Sequence, residues 1–343
     1  MKRWNATRRS RRPSTSQPAP RGSGRTRGRW LWFAGLLCLV ASISAPGQPP
    51  IIIDHTCTDL QRVPIAAIER AKATLRVAFG HTSHGSQIVS GMNALRKSQP
   101  ALFGFGQGGG RDLFFLDRTP SGDLGNPDRR AWAQRTRELL NGSGKDLNVV
   151  LWSWCGQVSG ASEKEIQLYL DLMNELETEF PSVRFVYMTG HLDGSGKEGN
   201  LHRRNEQIRA FCKTNNKILF DFADLESFDP DGRVNYMELH ARDNCDYTED
   251  GVVKNWADEW LKKNPGHGLA LPSSAAHSRP LNGALKGRAF WWMLARLAGW
   301  NGEPAAHAKA AGKAGVQPPR VTSAGILIEK SVASAVHAPL PSP

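Results

Sequence analysis

The sequence predicts a three-layer α/β/α domain built on a mainly parallel sheet, and three observations carry that expectation. Four runs are almost continuously apolar: Leu75–Gly80, Leu147–Trp154, Val183–Thr189 and Lys217–Phe222. Between them lie segments with helical periodicity. Each apolar run is separated from the next by such a segment, so strands and helices alternate along the chain. Strands that are apolar on both faces need cover on both faces, which is the condition of a buried parallel sheet.

The elements follow in order. Pro64–Thr74 reads as a helix and Leu75–Gly80 as the first buried strand. Gly85–Lys97 is helical in pattern, and Leu113–Asp117 is a short apolar run that could add a fifth strand. Pro127–Leu140 has a Pro start, and Asn141-Gly142 supplies a stop. Leu147–Trp154 is a strand. Ser162–Phe180 is a long helix ended by Pro181. Val183–Thr189 is a strand, Asn200–Lys213 a helix and Lys217–Phe222 a strand. Pro280–Leu297 is a closing, Trp-rich helix. The sheet therefore has four or five strands within a domain at residues 51–302.

The flanks differ in composition. The 343 residues carry a formal charge of +12, but residues 1–50 hold ten Lys or Arg and no acid. The remainder has 34 basic against 32 acidic residues. The basicity belongs to the leader, so a nucleic-acid-binding face is not expected. The Arg-rich stretch before Trp30–Ala45 reads as a signal peptide or N-terminal anchor at 1–45, followed by a Pro/Gly linker at 46–50. The expected location is outside the cytoplasm, periplasmic, secreted or at the cell surface. A membrane is expected only through the N-terminal segment, if it stays uncleaved. Residues 303–343 are rich in Ala, Pro and Ser and read as a disordered tail. Beyond the leader, Cys57, Cys155, Cys212 and Cys245 allow two disulfides or buried free thiols.

In a doubly wound sheet, ligands bind outside the carboxyl ends of the strands. The candidate chemistry is therefore read from the residues that follow each run. After the first strand stand Gly80, His81, Thr82, Ser83 and His84. After Leu147–Trp154 stand Cys155 and Gln157. After Val183–Thr189 stand His191 and Asp193. His277 precedes the last helix. A hydroxyl with an imidazole base and amide donors for an oxyanion is the constellation of nucleophilic acyl transfer. Ser83 is the expected nucleophile and His277 the base. Gly80 and Gln157 are expected at the oxyanion, with His81, Thr82, His84, His191 and Asp193 around the pocket. No cofactor or metal is expected. Four His and Asp residues (His81, His84, His191, Asp193) could instead hold a metal ion. Cys155 followed by Gly has the pattern of a thiol nucleophile, although a strand-end Cys in an exported protein is more often packed or disulfide-bonded. Asp229–Gly232 reads as a turn rather than a calcium loop, and the Trp residues near the C-terminal end read mostly as core.

The order of these motifs resembles the SGNH/GDSL hydrolases, a doubly wound, flavodoxin-like family of esterases and lipases. Val77–Ser83 resembles their first block, an apolar strand followed by Gly-Asp-Ser. Val149–Gln157 stands in the place of their Gly-x-Asn-Asp block. Asn205–Arg209 with Lys217–Asp221 resembles their helix and Asp-terminated strand, and Ala275–Asn282 their Asp-x-x-His block before the closing helix. The chain departs from the pattern at His81, which replaces the first-block Asp, and in lacking the family Asn. Strict alignment puts Thr82 in the nucleophile's place. Ser274 stands where the family has Asp, so the third triad member is open among Asp193, Asp243 and Asp246. The resemblance implies a serine esterase acting on a small-molecule or carbohydrate ester, or on a lipid. The competing reading is a catalytically inactive binding module of the same fold. A chain shortened to residues 46–343 is expected to remain soluble and folded. Gel filtration with far-UV circular dichroism checks this, and aggregation of the shortened chain would count against the leader reading.

Overall fold

The computed structural model describes residues 49–303. The leader and the Ala/Pro-rich tail, on which the signal-peptide and disorder expectations fall, lie outside the described residues. Among the described residues no helix is long and apolar enough to cross a membrane.

Seven strands form one sheet: β1 (Ile51–Ile53), β2 (Arg76–Gly80), β3 (Phe105–Gly106), β4 (Leu113–Asp117), β5 (Val149–Trp152), β6 (Arg184–Met188) and β7 (Ile218–Phe220). All six pairings are parallel, in the order β1-β7-β6-β5-β2-β4-β3. The expectation of four or five strands is corrected to seven. β1 and β3 are three and two residues long, too short to show a period. Without these two edge strands, the order of the other five is that of the flavodoxin-like doubly wound fold. The chain reverses direction across the sheet between β2 and β5. A separate antiparallel hairpin, β8 (Asp246–Glu249) with β9 (Val252–Asn255), stands outside the sheet.

Nine α-helices complete the described chain: α1 (Ile65–Thr74), α2 (Ser86–Ser98), α3 (Pro100–Phe103), α4 (Ala131–Asn141), α5 (Glu163–Glu179), α6 (Asn200–Thr214), α7 (Phe222–Ser227), α8 (Trp256–Lys263) and α9 (Pro280–Leu297). Local chemistry sets several of their ends. Ser162 and Glu165 form a reciprocal capping box at the start of α5, satisfying two otherwise orphaned N–H groups. Asp221 and Asn255 cap α7 and α8, and Pro280 occupies the first turn of α9, where its missing N–H costs little.

Helices α1, α2 and α9 pack together on one face of the sheet, and α4, α5 and α6 on the other. Alternate strand residues supply each layer. Phe79, Phe115 and Phe220 meet Phe290 of α9. Trp152 and Tyr187 turn the other way, toward Trp132 of α4 and Tyr169 of α5. Phe290 and Trp291 are fully buried, and each such side chain contributes roughly 1.5–3 kcal/mol. Trp256, Trp292 and Trp300 are buried too, so these residues belong to the core, as does most of Trp260.

Helix α9 approaches α2 closely because both carry glycine at the crossing. A Cβ at Gly91 would lie 2.0 Å from the carbonyl oxygen of Gly283, and one at Gly287 would lie 2.4 Å from the carbonyl carbon of Gly91. Neither neighbour is a flexible side-chain tip, so the helices would have to separate. Gly91→Ala and Gly287→Ala are each expected to cost about 2–3 kcal/mol, the range of a forced core rearrangement. Urea unfolding measures this, and a loss under about 0.5 kcal/mol, typical of a surface change, would show that the crossing has slack.

Candidate active site

The reversal between β2 and β5 leaves a crevice at the carboxyl edge of the sheet, and the chain fills it with ionisable groups. β2 ends at Gly80, in register with Trp152 at the end of β5. The N–H of Ser153 still donates to the Gly80 carbonyl at 3.0 Å, which holds the two exits side by side. From the first exit a tight turn at Thr82–Gly85 leads into α2. From the second, Ser153 and the buried Trp154 lead to Cys155. Two residues 72 positions apart in sequence, Ser83 and Cys155, thereby come within 3.3 Å, Oγ to Sγ.

The thiol is the hub of the site. His84 Nδ1 lies 3.2 Å from Cys155 Sγ, and His84 Nε2 lies 2.9 Å from Asp243 Oδ2. A thiol, an imidazole and a carboxylate thus form one hydrogen-bonded chain, the geometry of an activated nucleophile, its base and the group that orients the base. His84 is 6% exposed, whereas Cys155 is only half-buried. The turn carrying Ser83 and His84 runs directly into α2, whose positive N-terminal end also favours a thiolate.

The charges are set by this geometry. The hydrogen bond from His84 pulls the Cys155 thiol down to about 6 against the opposing effect of burial, and the Ser83 and Thr82 hydroxyls assist. Burial alone would depress His84. Its hydrogen bonds to Asp243 and Cys155, with the field of Glu226, outweigh that and raise it to about 9. Burial likewise opposes ionisation of Asp243, and the bond to His84 overrides it to hold the carboxyl below its usual range. Between these limits the resting pair is thiolate and imidazolium, a coupled couple whose two values belong to the pair.

Asp243 arrives from far along the chain. Its own N–H donates to the Leu192 carbonyl at 3.1 Å, Gly194 N–H donates to the Ala241 carbonyl at 3.1 Å, and Asp193 pairs with Arg242 as an isolated antiparallel bridge. This short two-stranded tie joins the loop after β6 to the segment before β8. It also carries His191 to the site: the His191 ring stacks on His84 at 3.7 Å and 3°. On the other side His277, at φ 60°, stacks on the same ring at 4.7 Å and 18°. Burial lowers the His191 pKa, and the His84 charge adds to this, so His191 is the neutral member of the stack.

The expected residues divide accordingly. Ser83, His84, His191 and His277 come together. Ser83 and His277 do not form the expected nucleophile–base pair: the Ser83 hydroxyl faces Cys155 Sγ, and the His277 side chain makes no hydrogen bond among the described residues. Gln157 is also differently engaged. Its Oε1 accepts from the Cys155 N–H at 2.9 Å and its Nε2 donates to Asp123 Oδ2 at 2.7 Å, so it braces the loop that carries Cys155. Gly80 is needed for packing, because a Cβ there would lie 2.5 Å from the Trp152 ring. His81 is buried and anchored to Asp117 at 2.7 Å and to the Thr82 carbonyl at 2.7 Å. The Thr82 hydroxyl donates to Asp123 at 3.2 Å. Asp193 turns away, accepting from the Ser195 N–H at 2.9 Å. All four described cysteines are free thiols, so of the two readings left open for them the structure has no disulfide among the described residues.

Two other groups are close enough to be weighed as cation sites. His84, His191 and Asp243 present atoms within 4.8 Å of one another. These atoms are already engaged, however: His84 Nε2 with Asp243, and His191 Nδ1 with the Leu192 carbonyl at 2.9 Å. Asp54, His55 and Asp224 cluster at the ends of β1 and β7, where His55 Nδ1 is 2.6 Å from Asp224 Oδ2. A cavity of about 520 Å³ opens there, lined by Asp54, Asp193, Arg209, Asp221 and Asp224. Neither Cys155 nor His84 lines it, so this hollow lies beside the Cys155–His84 pair and does not contain it.

Cys155 differs from the other cysteines in this environment. Burial pushes Cys57 up to about 11 and Cys245 up to about 12, and it raises Cys212 as well. Among the four described cysteines, iodoacetamide at neutral pH is therefore expected to modify Cys155 alone, with an inflection near pH 6 that moves up toward the ordinary thiol value in His84→Ala. Peptide mass spectrometry reads the outcome; equal labelling of the four described cysteines, or no effect of His84→Ala, would contradict it.

No family model matches the chain, and no curated protein does. Among solved structures it is similar to a proposed acylhydrolase from Bacteroides fragilis NCTC 9343, at 12% identity and a TM-score of 0.29, over 60% of this chain and 93% of that one. That likeness is too slight to bear on chemistry.

Proposed function

We propose that this chain is a cysteine-dependent acyl hydrolase, in which Cys155 is the nucleophile, His84 the base and Asp243 the residue that orients it. The observation that supports this reading is the unbroken line Cys155 Sγ–His84 Nδ1 at 3.2 Å and His84 Nε2–Asp243 Oδ2 at 2.9 Å. The thiolate attacks the carbonyl carbon of an ester or amide. The electron pair of the carbonyl moves to oxygen, to which the Ser83 hydroxyl, 3.3 Å from the sulfur, donates. Collapse of the tetrahedral adduct expels the leaving group, which takes its proton from the His84 imidazolium. Neutral His84 then draws a proton from water, which attacks the thioester and frees the acid, and the departing sulfur regenerates the thiolate–imidazolium pair. This reading replaces Ser83 with Cys155 as nucleophile and His277 with His84 as base. It keeps the expectation of acyl-transfer chemistry on a small-molecule or carbohydrate ester, and the leader supports action outside the cytoplasm.

The reading predicts a hierarchy of variants on a chromogenic ester such as a p-nitrophenyl acyl ester. Cys155→Ala and His84→Ala should each remove activity by about 10³-fold or more, and Asp243→Asn by about 10²–10⁴-fold, the range for triad members. Ser83→Ala should retain a nucleophile and lose about 10-fold to 10³-fold, as when one oxyanion donor is removed. Full activity in Cys155→Ala with loss in Ser83→Ala would restore the serine reading. An inactive wild-type chain would leave a binding module.

The pH dependence has a definite sign. Attack requires Cys155 ionised, which holds above about 6, and leaving-group protonation requires His84 charged, which holds below about 9. kcat/KM is expected to be bell-shaped with limbs near those values. A profile that rises through pH 9 without a descending limb would remove His84 from the acid role.

A further inference from the structure

Beneath the histidine stack lies a buried ionic network that the proposed mechanism does not use directly. Lys286 of α9, Glu226 of α7 and Gln87 of α2 are all fully buried. Lys286 Nζ donates to Glu226 Oε1 at 2.5 Å and also to Gln87 Oε1. The outer end of each partner is fixed to a loop backbone. Glu226 Oε2 accepts from the Leu192 N–H at 2.7 Å, and Gln87 Nε2 donates to the Ala276 carbonyl at 2.6 Å.

Leu192 follows His191, and Ala276 precedes His277. The network therefore ties together, from below, the two loops whose rings hold His84 between them. Burying a charged pair is expensive, and an apolar pair of similar volume would serve stability as well or better. Here the polar pair has loop amide and carbonyl groups at both ends, which apolar side chains could not hold. We propose that Glu226, Lys286 and Gln87 are positioning residues that keep His191 and His277 against the two faces of His84, and so keep the His84 imidazole aligned with Cys155. The inference rests on the reading of Cys155 as the nucleophile.

The charged and titratable groups around His84 are few. Cys155 and Asp243 bond to its two nitrogens, His191 and His277 cover its faces, and Glu226 acts through space with Lys286 behind it. Loosening the loops frees the imidazole to turn, which weakens both bonds at once, and the thiol then returns toward an ordinary cysteine.

The test is the pH profile of Cys155 alkylation by iodoacetamide in the full chain, read by peptide mass spectrometry alongside thermal unfolding. Glu226→Met with Lys286→Met removes both charges together and avoids an unpaired buried ion. It is expected to retain a cooperative unfolding transition, while alkylation at about pH 6.5 falls about threefold or more and the inflection rises by about one unit or more. A folded double variant with the wild-type profile would overturn the inference. Should that variant fail to fold, Gln87→Leu decides the question, because it keeps both charges paired while cutting the tether to Ala276 and the Lys286–Gln87 hydrogen bond. A fall of about threefold or more in the same rate supports the inference, and an unchanged profile overturns it. An ordinary thiol profile in the wild-type chain would sink the nucleophile reading and this inference with it. A low wild-type inflection that neither variant moves would sink the inference alone.

Discussion

Gly80 lies beneath the six-membered ring of Trp152, and the site depends on that close approach. A side chain at position 80 would meet the indole at 2.5 Å, and the two strand ends would move apart. With glycine there, β2 and β5 run level to their last residues, and the Ser153 N–H closes the ladder on the Gly80 carbonyl. The turn that follows β2 and the loop that follows β5 then emerge side by side, at the point where the order of the sheet reverses. That is the place where a doubly wound sheet opens a crevice. One exit delivers the imidazole and the helix that favours an anion. The other delivers the thiol.

Each further part of the site adds a constraint on a group that would otherwise wander. Gln157 and Asp123 brace the loop of Cys155. The backbone tie between residues 192–194 and 241–243 fixes Asp243 behind His84. The neutral ring of His191 and the ring of His277 flank an imidazole that carries charge when the thiol is ionised. Stacking restricts the ring's rotation about its side-chain bonds, and preorganisation of this kind would spare reorganisation during the proposed reaction. The same packing has an electrostatic condition. Two charged imidazoles at 3.7 Å would repel strongly in a partly buried site, so the charge resides on the ring that has both a carboxylate and a thiolate partner.

Much of the frame is legible in the residues. β2, β4, β5, β6 and β7 correspond to runs such as Val77–Gly80 and Val149–Trp152, because burial on both faces demands continuous apolar sequence. The six longest helices other than α8 coincide with periodic segments bounded by recognisable caps, as at Ser162 and Pro280. β1 and β3 escape because two or three residues carry no period, and α8 with its hairpin lies among polar turns. The strand-end rule also leads to His84, Cys155 and His191. It does not reveal which hydroxyl or thiol meets which imidazole. Ser83 and His277 are assigned by analogy of order, whereas Cys155, two residues from Gln157, carries the signal of a strand-end Cys-Gly and nothing that separates it from a packed thiol. Asp243 has no local signal beyond being one of three carboxylates left open.

Sequence by itself determined the class of fold, the edge of the sheet where chemistry collects, and the residue types gathered there. Those follow from hydrophobic periodicity and from the fixed geometry of parallel strands, which are local properties. The pairing of Cys155 with His84 and Asp243, and the buried line from Glu226 through Lys286 to Gln87, were decided by tertiary structure alone. Such contacts join residues 71, 159, 60 and 199 positions apart. Hydrogen-bond distance depends on how whole helices and strands come to rest against one another, and that is settled by the packing of the complete core.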